Sequence, residues 1–342
     1  MGKYACIKAI ATYLPAQVAS NDGEDPRFVE KLGIHERHFA EKEESAGDLA
    51  FEAAENLFRQ YDVQREDIDF ILLCVQHPDY QMPTTACELQ SRLGIPNSCG
   101  ALDYSLGCSG YSYGLAMAKG LMETGMAENV LLLTSSVYLK YINKEDHACY
   151  PLFGDGATAT YLTMEEGEAP MLHSFAFGTD GSRYDKIIIP AGGSRNMPRE
   201  TPEAFGTDEA GNRRSNYEVF MDGTAIAYFT LREVPPMVEQ ILGKAGLSRE
   251  DLDYCVFHQA NKFMLGYVRK KCKLQKVPFH NDIEKIGNTV SGTIPFGLEA
   301  ILEEHDPKDL KRVLLAGFGV GLSWSGCIAD LSRMMRKNGQ AK

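Results

Sequence analysis

Apolar residues fall into two alternating textures along the chain. Short continuous runs, FILLCV at 70–75, NVLLLTSS at 129–136, YCVF at 254–257 and RVLLAGFG at 312–319, read as buried strands. Between them, apolar residues recur every three or four positions, as at Leu115, Ala118 and Met122, and read as helix faces. Helix and strand alternating in this way predict an α/β body with largely parallel strands.

The pattern also repeats. ENLFRQYDVQREDID at 55–69 and EQILGKAGLSREDLD at 239–253 each give an amphipathic helix, a turn, the string R-E-D-[I/L]-D and then an apolar strand, at an offset of 184 residues. NVLLLTSS and RVLLAGFG match at 183, as do Gly114-Leu115 and Gly297-Leu298. Matches at a near-constant offset predict two similar halves, residues 1–170 and 215–332. Residues 171–214, rich in Gly, Pro, Arg and Asn, are expected to be an irregular insertion or crossover. The polar tail MMRKNGQAK at 334–342 is expected to fray.

Composition narrows the function. The start MGKYACIKAIATYLP reads as a first strand rather than a signal peptide. No run of about 18 apolar residues predicts a membrane span. A net charge of −12 argues against a general nucleic-acid binder. Nine cysteines, an odd number with no C-x-x-C pair, fit reduced thiols of a cytoplasmic protein better than a disulfide framework or a metal site.

Three residues stand out as candidate chemistry. Cys108, in ALDYSLGCSGYSYGL, is expected at an elbow between an extended stretch and a helix. Unpaired amides and the positive dipole end there favour thiolate, and Gly107 and Gly110 leave room for a substrate. His258 follows directly after the strand 254–257, at the carboxyl end where α/β sheets present ligands. Asn288 lies before the helix that the repeat pairs with the Cys108 helix. One nucleophile from the first half and two polar assistants from the second would then converge at the seam.

These segments resemble the β-ketoacyl-acyl-carrier-protein synthase III family of the thiolase superfamily almost end to end. The likeness runs through GIHERHFA (33–40), PTTACELQSRLGI (83–95), DYSLGCSGYSYGL, LFGDGATATYL (152–162), HQAN (258–261), GNT with a following IP (287–289), and GFGVGLSW (317–324). The resemblance implies a five-layered αβαβα fold of two duplicated halves, a homodimer, and a Cys-His-Asn triad on Cys108, His258 and Asn288. It further implies that the cysteine takes an acyl group from a coenzyme A or acyl-carrier-protein thioester and condenses it with malonyl-acyl carrier protein, releasing CO₂. Neutral donors on His258 and Asn288 would steady the enolate, and the backbone N–H groups of Cys108 and Val320 would form the oxyanion hole. No metal or redox cofactor is implied.

The chain departs from the family pattern in places. Arg27-Phe28 stands where the family has the tryptophan that stacks on coenzyme A, His147-Ala148 replaces an Arg-Gly pair, and Thr224 replaces an asparagine. A carrier-bound donor gains weight accordingly. Met82 takes the place of the aromatic that reaches across the dimer into the partner's acyl pocket. An acidic carrier would need a basic landing site on this acidic chain. The window 262–276, KFMLGYVRKKCKLQK, supplies six basic residues and no acidic one, and Arg269, Lys270 and Lys271 are the expected docking residues. Three other readings share the same residues: acyl transfer to an oxygen or nitrogen acceptor, a cavity-shaping subunit without catalysis (which would lose the cysteine), and a cysteine hydrolase, for which no protease signature surrounds Cys108.

Overall fold

The computed structural model describes residues 1–281 and 283–339. Two principal sheets organise them. The first contains β1 (Gly2–Tyr13), β2 (Phe70–Cys74), β3 (Gly100–Tyr104), β4 (Asn129–Ser136) and β5 (Gly156–Gly167), in the order β1-β5-β4-β2-β3. The second contains β6 (Leu172–Thr179), β7 (Tyr254–Phe257), β8 (Val313–Gly319) and β9 (Ser323–Ala329), in the order β6-β9-β8-β7. Pairing runs alike in both. Pairs β1/β5 and β5/β4 are antiparallel, and β4/β2 and β2/β3 are parallel. Correspondingly, β6/β9 and β9/β8 are antiparallel, β8/β7 is parallel, and Phe279 adds a parallel bridge beside Cys255.

The R-E-D string has the same physical task in each half. Arg65 returns to Glu55 at 2.6 Å, and Arg249 returns to Glu239, each fastening a short 3₁₀ turn to the helix before it. The closing aspartate then ties two parallel strands at their starts. Asp69 accepts from the N–H groups of Glu128 and Asn129, and Asp253 from those of Lys311 and Arg312.

Helices α1 (Pro26–Leu32), α2 (Ala46–Gln60), α3 (Thr85–Arg92), α4 (Gly110–Glu123), α5 (Gly223–Ala245), α6 (Lys262–Lys271) and α7 (Thr293–Glu304) complete the layers. α2 starts at a capping box between Ser45 and Asp48 and buries Leu49, Ala50, Ala53, Ala54 and Leu57 against the first sheet. α4 and α7 lie between the sheets, with Leu115, Ala118, Ile294 and Leu298 in one core that also takes β-strand residues from both sides. α5 and α6 cover the far face of the second sheet through Val238, Ile241, Leu265 and Val268. The stack is therefore αβαβα. Packing two sheets on one central helix layer puts the starts of α4 and α7 side by side at the seam.

Two expectations need correction. Residues 171–214 are not irregular throughout: they open with β6, whose Leu172 and Ala176 are buried, and they carry short ribbon strands at 187–188 and 205–207. The Gly/Pro-rich composition hid an edge strand at the beginning of the segment. The tail is also anchored as far as it is described. Met335 N–H donates to Lys8 O at 2.7 Å, Lys337 meets Glu299 at 3.0 Å, and Asn338 N–H donates to Gln60 O at 2.7 Å. Two apolar methionines hold this strap, Met334 on the central core and Met335 on the outer one. Residues 340–342 of the predicted tail lie outside the described residues.

Candidate active site

Cys108 stands two residues before α4, on the elbow leaving β3, and its side chain is buried. Strand β8 passes against it. A Cβ on Gly319 would lie 2.7 Å from Cys108 Sγ, and one on Gly317 would lie 2.5 Å from the Cys108 carbonyl oxygen. Only glycine permits that approach. Phe318, between these glycines, turns its ring edge-on to His258, with centroids 5.6 Å apart.

His258 directly follows β7 and is buried, its N–H donating to Ala316 O at 2.8 Å. Its Nδ1 lies 2.7 Å from Thr293 Oγ1, and that hydroxyl lies 3.1 Å from Val290 O. Val290 N–H donates in turn to Asn288 Oδ1 at 2.9 Å. The Val290 side chain closes the circuit by packing with Cys108 in one buried cluster, beside Gly107. Cys108, His258 and Asn288 thus come from three distant stretches and are linked at the seam through Val290, Thr293 and strand β8. Val290 is held at a φ of 59°, a costly conformation for a β-branched residue. Its N–H, carbonyl and side chain are all engaged, which is how the loop sustains the strain.

The free donors decide what this arrangement can do. With Oδ1 occupied, Asn288 keeps its Nδ2 amide hydrogens without a partner among the described residues. The single Thr293 proton goes either to Val290 O or to His258 Nδ1. When it goes to His258, the imidazole proton sits on Nε2, which has no hydrogen-bond partner among the described residues. In that tautomer His258 and Asn288 each carry a neutral N–H donor without a partner among the described residues.

Burial sets the charges. It pushes the Cys108 thiol up to about 12, against which the N–H groups of Val320 and of Cys108 itself, both bearing on the sulfur, pull downward. Burial drives His258 down to about 3, with the Val290 backbone opposing. The resting site therefore holds a thiol and a neutral imidazole. Burial thus works against the thiolate that the helix start favours, while the two amides support it. Gly107 and Gly110 also have another purpose than expected. A Cβ on Gly107 would strike Val320 at 2.2 Å, and one on Gly110 would strike Cys74 Sγ at 2.3 Å, so both make room for the protein rather than for a substrate.

The outlying candidates separate. Val320, on the turn after β8, directs its amide at Cys108 together with Cys108's own amide. Met82 is 82% exposed and does not wall the chain's own pocket. Lys270 and Lys271 are exposed at the end of α6 and enter no ion pair among the described residues. Arg269 needs correction as a docking residue. Its guanidinium donates to the carbonyls of Leu274, Gln275 and Val277 and lies over the Phe279 ring, so it clamps the chain after α6 instead of facing a partner. Arg27 and Phe28 line a surface pocket of about 740 Å³ with Lys31, Lys262 and Phe263, and His147 contacts Glu24 at 3.4 Å.

Sequence reasoning missed Thr293 and a pocket of about 610 Å³ that opens beside Cys108, walled by Gln76, His77, Tyr138, Tyr141, Tyr217 and Val320. A polar residue at the first position of an otherwise apolar helix was the available signal for Thr293. The pocket had none, because its wall comes from several stretches far apart in sequence.

Comparison with known proteins agrees along the whole chain. Residues 102–181 match the 3-oxoacyl-[acyl-carrier-protein (ACP)] synthase III family, and residues 242–331 match its C-terminal part. The chain is 32% identical over 336 residues to the β-ketoacyl-[acyl-carrier-protein] synthase III of Caldanaerobacter subterraneus subsp. tengcongensis, covering 96% of this chain and 98% of that protein. Its fold is similar to a solved 3-oxoacyl-(acyl-carrier-protein) synthase III at 44% identity and a TM-score of 0.90, over 96% of this chain and 99% of that one. It is also similar to the 3-oxoacyl-(acyl-carrier protein) synthase of Burkholderia xenovorans LB400 at 33% identity and a TM-score of 0.89, over 97% and 96% of the two chains.

Proposed function

Because the chain belongs to the 3-oxoacyl-[acyl-carrier-protein] synthase III family, we propose that Cys108 is its acyl-carrying nucleophile and that His258 and Asn288 serve the condensation that follows. The protein is an acyltransferase of the β-ketoacyl synthase type, which joins an acyl group to a malonyl unit with loss of CO₂.

In the first step Cys108 Sγ bonds to the acyl carbon of a thioester donor, and the donor thiol leaves with the proton. The tetrahedral oxygen is met by the amides of Cys108 and Val320. In the second step the malonyl carboxylate departs as CO₂, and its bonding pair forms an enolate on the malonyl thioester. His258 Nε2–H and Asn288 Nδ2–H donate to that enolate oxygen. An imidazole driven down to about 3 suits this task, because it stays neutral at pH 7 and donates without surrendering a proton. The enolate carbon then attacks the acyl carbonyl, the Sγ–C bond breaks, and Cys108 regains a proton. Decarboxylation supplies the driving force, so the reaction needs no metal or redox cofactor.

Malonyl-acyl carrier protein is the extender partner, and acyl-carrier-protein or coenzyme A thioesters are the primers. Lys270 and Lys271 offer the carrier its unpaired cations. The protein works in the cytoplasm as a homodimer, with Met82 of each chain reaching toward the other's pocket.

The observation that supports this reading is the buried Cys108 packed with Val290, whose backbone also engages Asn288 and, through Thr293, His258. Incubation with a panel of primer thioesters and malonyl-acyl carrier protein tests it by intact mass. A Cys108-linked acyl mass followed by 3-oxoacyl product is expected; product without any acyl-enzyme, or an acyl mass on another residue, overturns the assignment.

A further inference from the structure

The pocket beside Cys108 has an apolar wall of Ile187, Ile188, Ile189 and Val219, yet it sets two polar side chains, Gln76 and His77, into its lining. Val320 joins the two spaces, since its amide bears on Cys108 Sγ while its side chain walls the pocket. Gln76 lies at the same threshold, where a Cβ on Gly107 would meet its Oε1 at 2.8 Å. Tyr138 Oη donates to that Oε1, which fixes the amide and leaves the Gln76 Nε2 hydrogens without a partner among the described residues. Next to it, His77 is clamped between aromatic rings. Tyr141 stacks on it at 3.9 Å, nearly parallel at 12°, and Tyr138 meets it edge-on at 5.0 Å. Neither His77 ring nitrogen has a hydrogen-bond partner among the described residues. Burial lowers its basicity to about 4, so it presents one N–H donor and one bare nitrogen acceptor.

A saturated chain lying in this pocket would strip water from Gln76 Nε2 and both His77 nitrogens and offer those atoms no hydrogen-bond partner in return. Buried polar groups left unpaired are what make a site reject a purely apolar ligand. An oxygen on the chain reverses this: a carbonyl accepts from Gln76 or from the imidazole N–H, and a hydroxyl can also donate to the bare His77 nitrogen. Because the ring stack and the Tyr138 bond fix both side chains, neither can swing away to make the pocket apolar.

Resting on the assignment of Cys108 as acyl carrier, we propose that the primer is an oxygenated acyl group, bearing a hydroxyl or oxo function that Gln76 and His77 hydrogen-bond, rather than a saturated chain. Gln76 and His77 are specificity residues that touch the acyl group itself.

Matched six-carbon pantetheine thioesters provide the probe: hexanoyl against 3-hydroxy-, 4-oxo- and 5-oxohexanoyl. The rate of Cys108 acylation is followed by intact mass. At least one oxygenated member should outrun hexanoyl by about tenfold in the unaltered protein, the scale of one hydrogen bond lost from a buried site. In His77→Phe and in Gln76→Leu, made separately, hexanoyl should gain on the oxygenated member and close or reverse that gap. Hexanoyl equal to or faster than all three in the unaltered protein overturns the proposal while leaving the nucleophile in place. Failure of every thioester to acylate Cys108 overturns both the proposal and the assignment beneath it.

Discussion

The two halves place different chemistry on the same scaffold positions. β2 ends in Cys74 at the point where β7 is followed by His258, and the elbow before α4 carries Cys108 where that before α7 carries Ser291. In the first half the sulfur at the strand end is sealed in. Cys74 Sγ donates to Leu106 O at 3.1 Å, is touched by Ser291, and is pushed up to about 11 by burial. The pair Cys74–Ser291 is therefore the mirror, across the pseudo-twofold, of His258–Cys108. One combination makes a dry structural contact, and the other sets the proposed nucleophile on the same corner as a buried imidazole. Duplication supplied two equivalent corners, and the one with glycines at 317 and 319 adjoins a pocket through Val320.

The widest separation between these corners should come from deleting each sulfur. Cys108→Ala should lower acylation by about 10⁵-fold or more, the scale for a removed nucleophile. Cys74→Ala should cost about 1 kcal/mol of stability, as loss of a small buried group does, and keep the acyl mass on Cys108. Intact mass and thermal melting read the two effects. Loss of acylation in a folded Cys74→Ala protein would mean that the corners are not chemically distinct.

Next in size are the donors found only in the second half. His258→Ala and Asn288→Ala should each slow condensation from preloaded enzyme by about 10²–10³-fold, as removal of an oxyanion donor does, while acylation persists. The opposite pattern, with acylation lost and condensation intact, would assign these residues to the nucleophile instead. Thr293→Val removes the hydroxyl that sets the His258 tautomer and should cost about tenfold in condensation. Thr293→Ser should restore it, whereas a purely packing role would be served by valine.

Titration distinguishes the groups without mutation. The thiolate is the reactive form, and Cys108 at about 12 ionises more as pH rises. Alkylation of Cys108 by iodoacetamide should climb about tenfold per pH unit from 7 to 9. Condensation from preloaded enzyme, measured between pH 5 and 9, should show no step from His258, since a group at about 3 stays neutral throughout. A step near pH 6.5 in that profile would mean that the imidazole is not desolvated during turnover.

The sequence made the repeat legible because it is written in local signals: the R-E-D turn, the apolar strand after it and the helix start. The same signals singled out Cys108, His258 and Asn288 as candidates. Other features depend on contacts between distant segments. The raised Cys108 thiol depends on burial by β8. The Arg269 clamp depends on carbonyls at 274, 275 and 277 turning back toward α6. The tail strap depends on two methionines that look unremarkable in a polar string. Charge counting could find the basic helix, but could not tell which of its cations were already spent inside the fold.

That last distinction gives the smallest expected effect. Lys270 and Lys271 are exposed and unpaired among the described residues, whereas Arg269, on the same helix, is held by three carbonyls of the chain that follows it. Exposed charges act on a charged partner mainly through encounter rate, and salt screens them over about 8–10 Å. Reversing both lysines to glutamate should therefore raise KM for malonyl-acyl carrier protein several-fold at low salt, roughly the effect of 1 kcal/mol in encounter. The difference from the unaltered protein should shrink as salt rises toward 0.5 M. Turnover of a small malonyl-pantetheine substrate should not change, because neither lysine lines the pocket beside Cys108. Arg269→Gln should behave differently: it frees the chain after α6, so it should lower the melting temperature and slow both substrates alike. Equal losses on both substrates in the double-lysine variant would show that the end of α6 is structural throughout, and the carrier would then have to land elsewhere on this acidic surface.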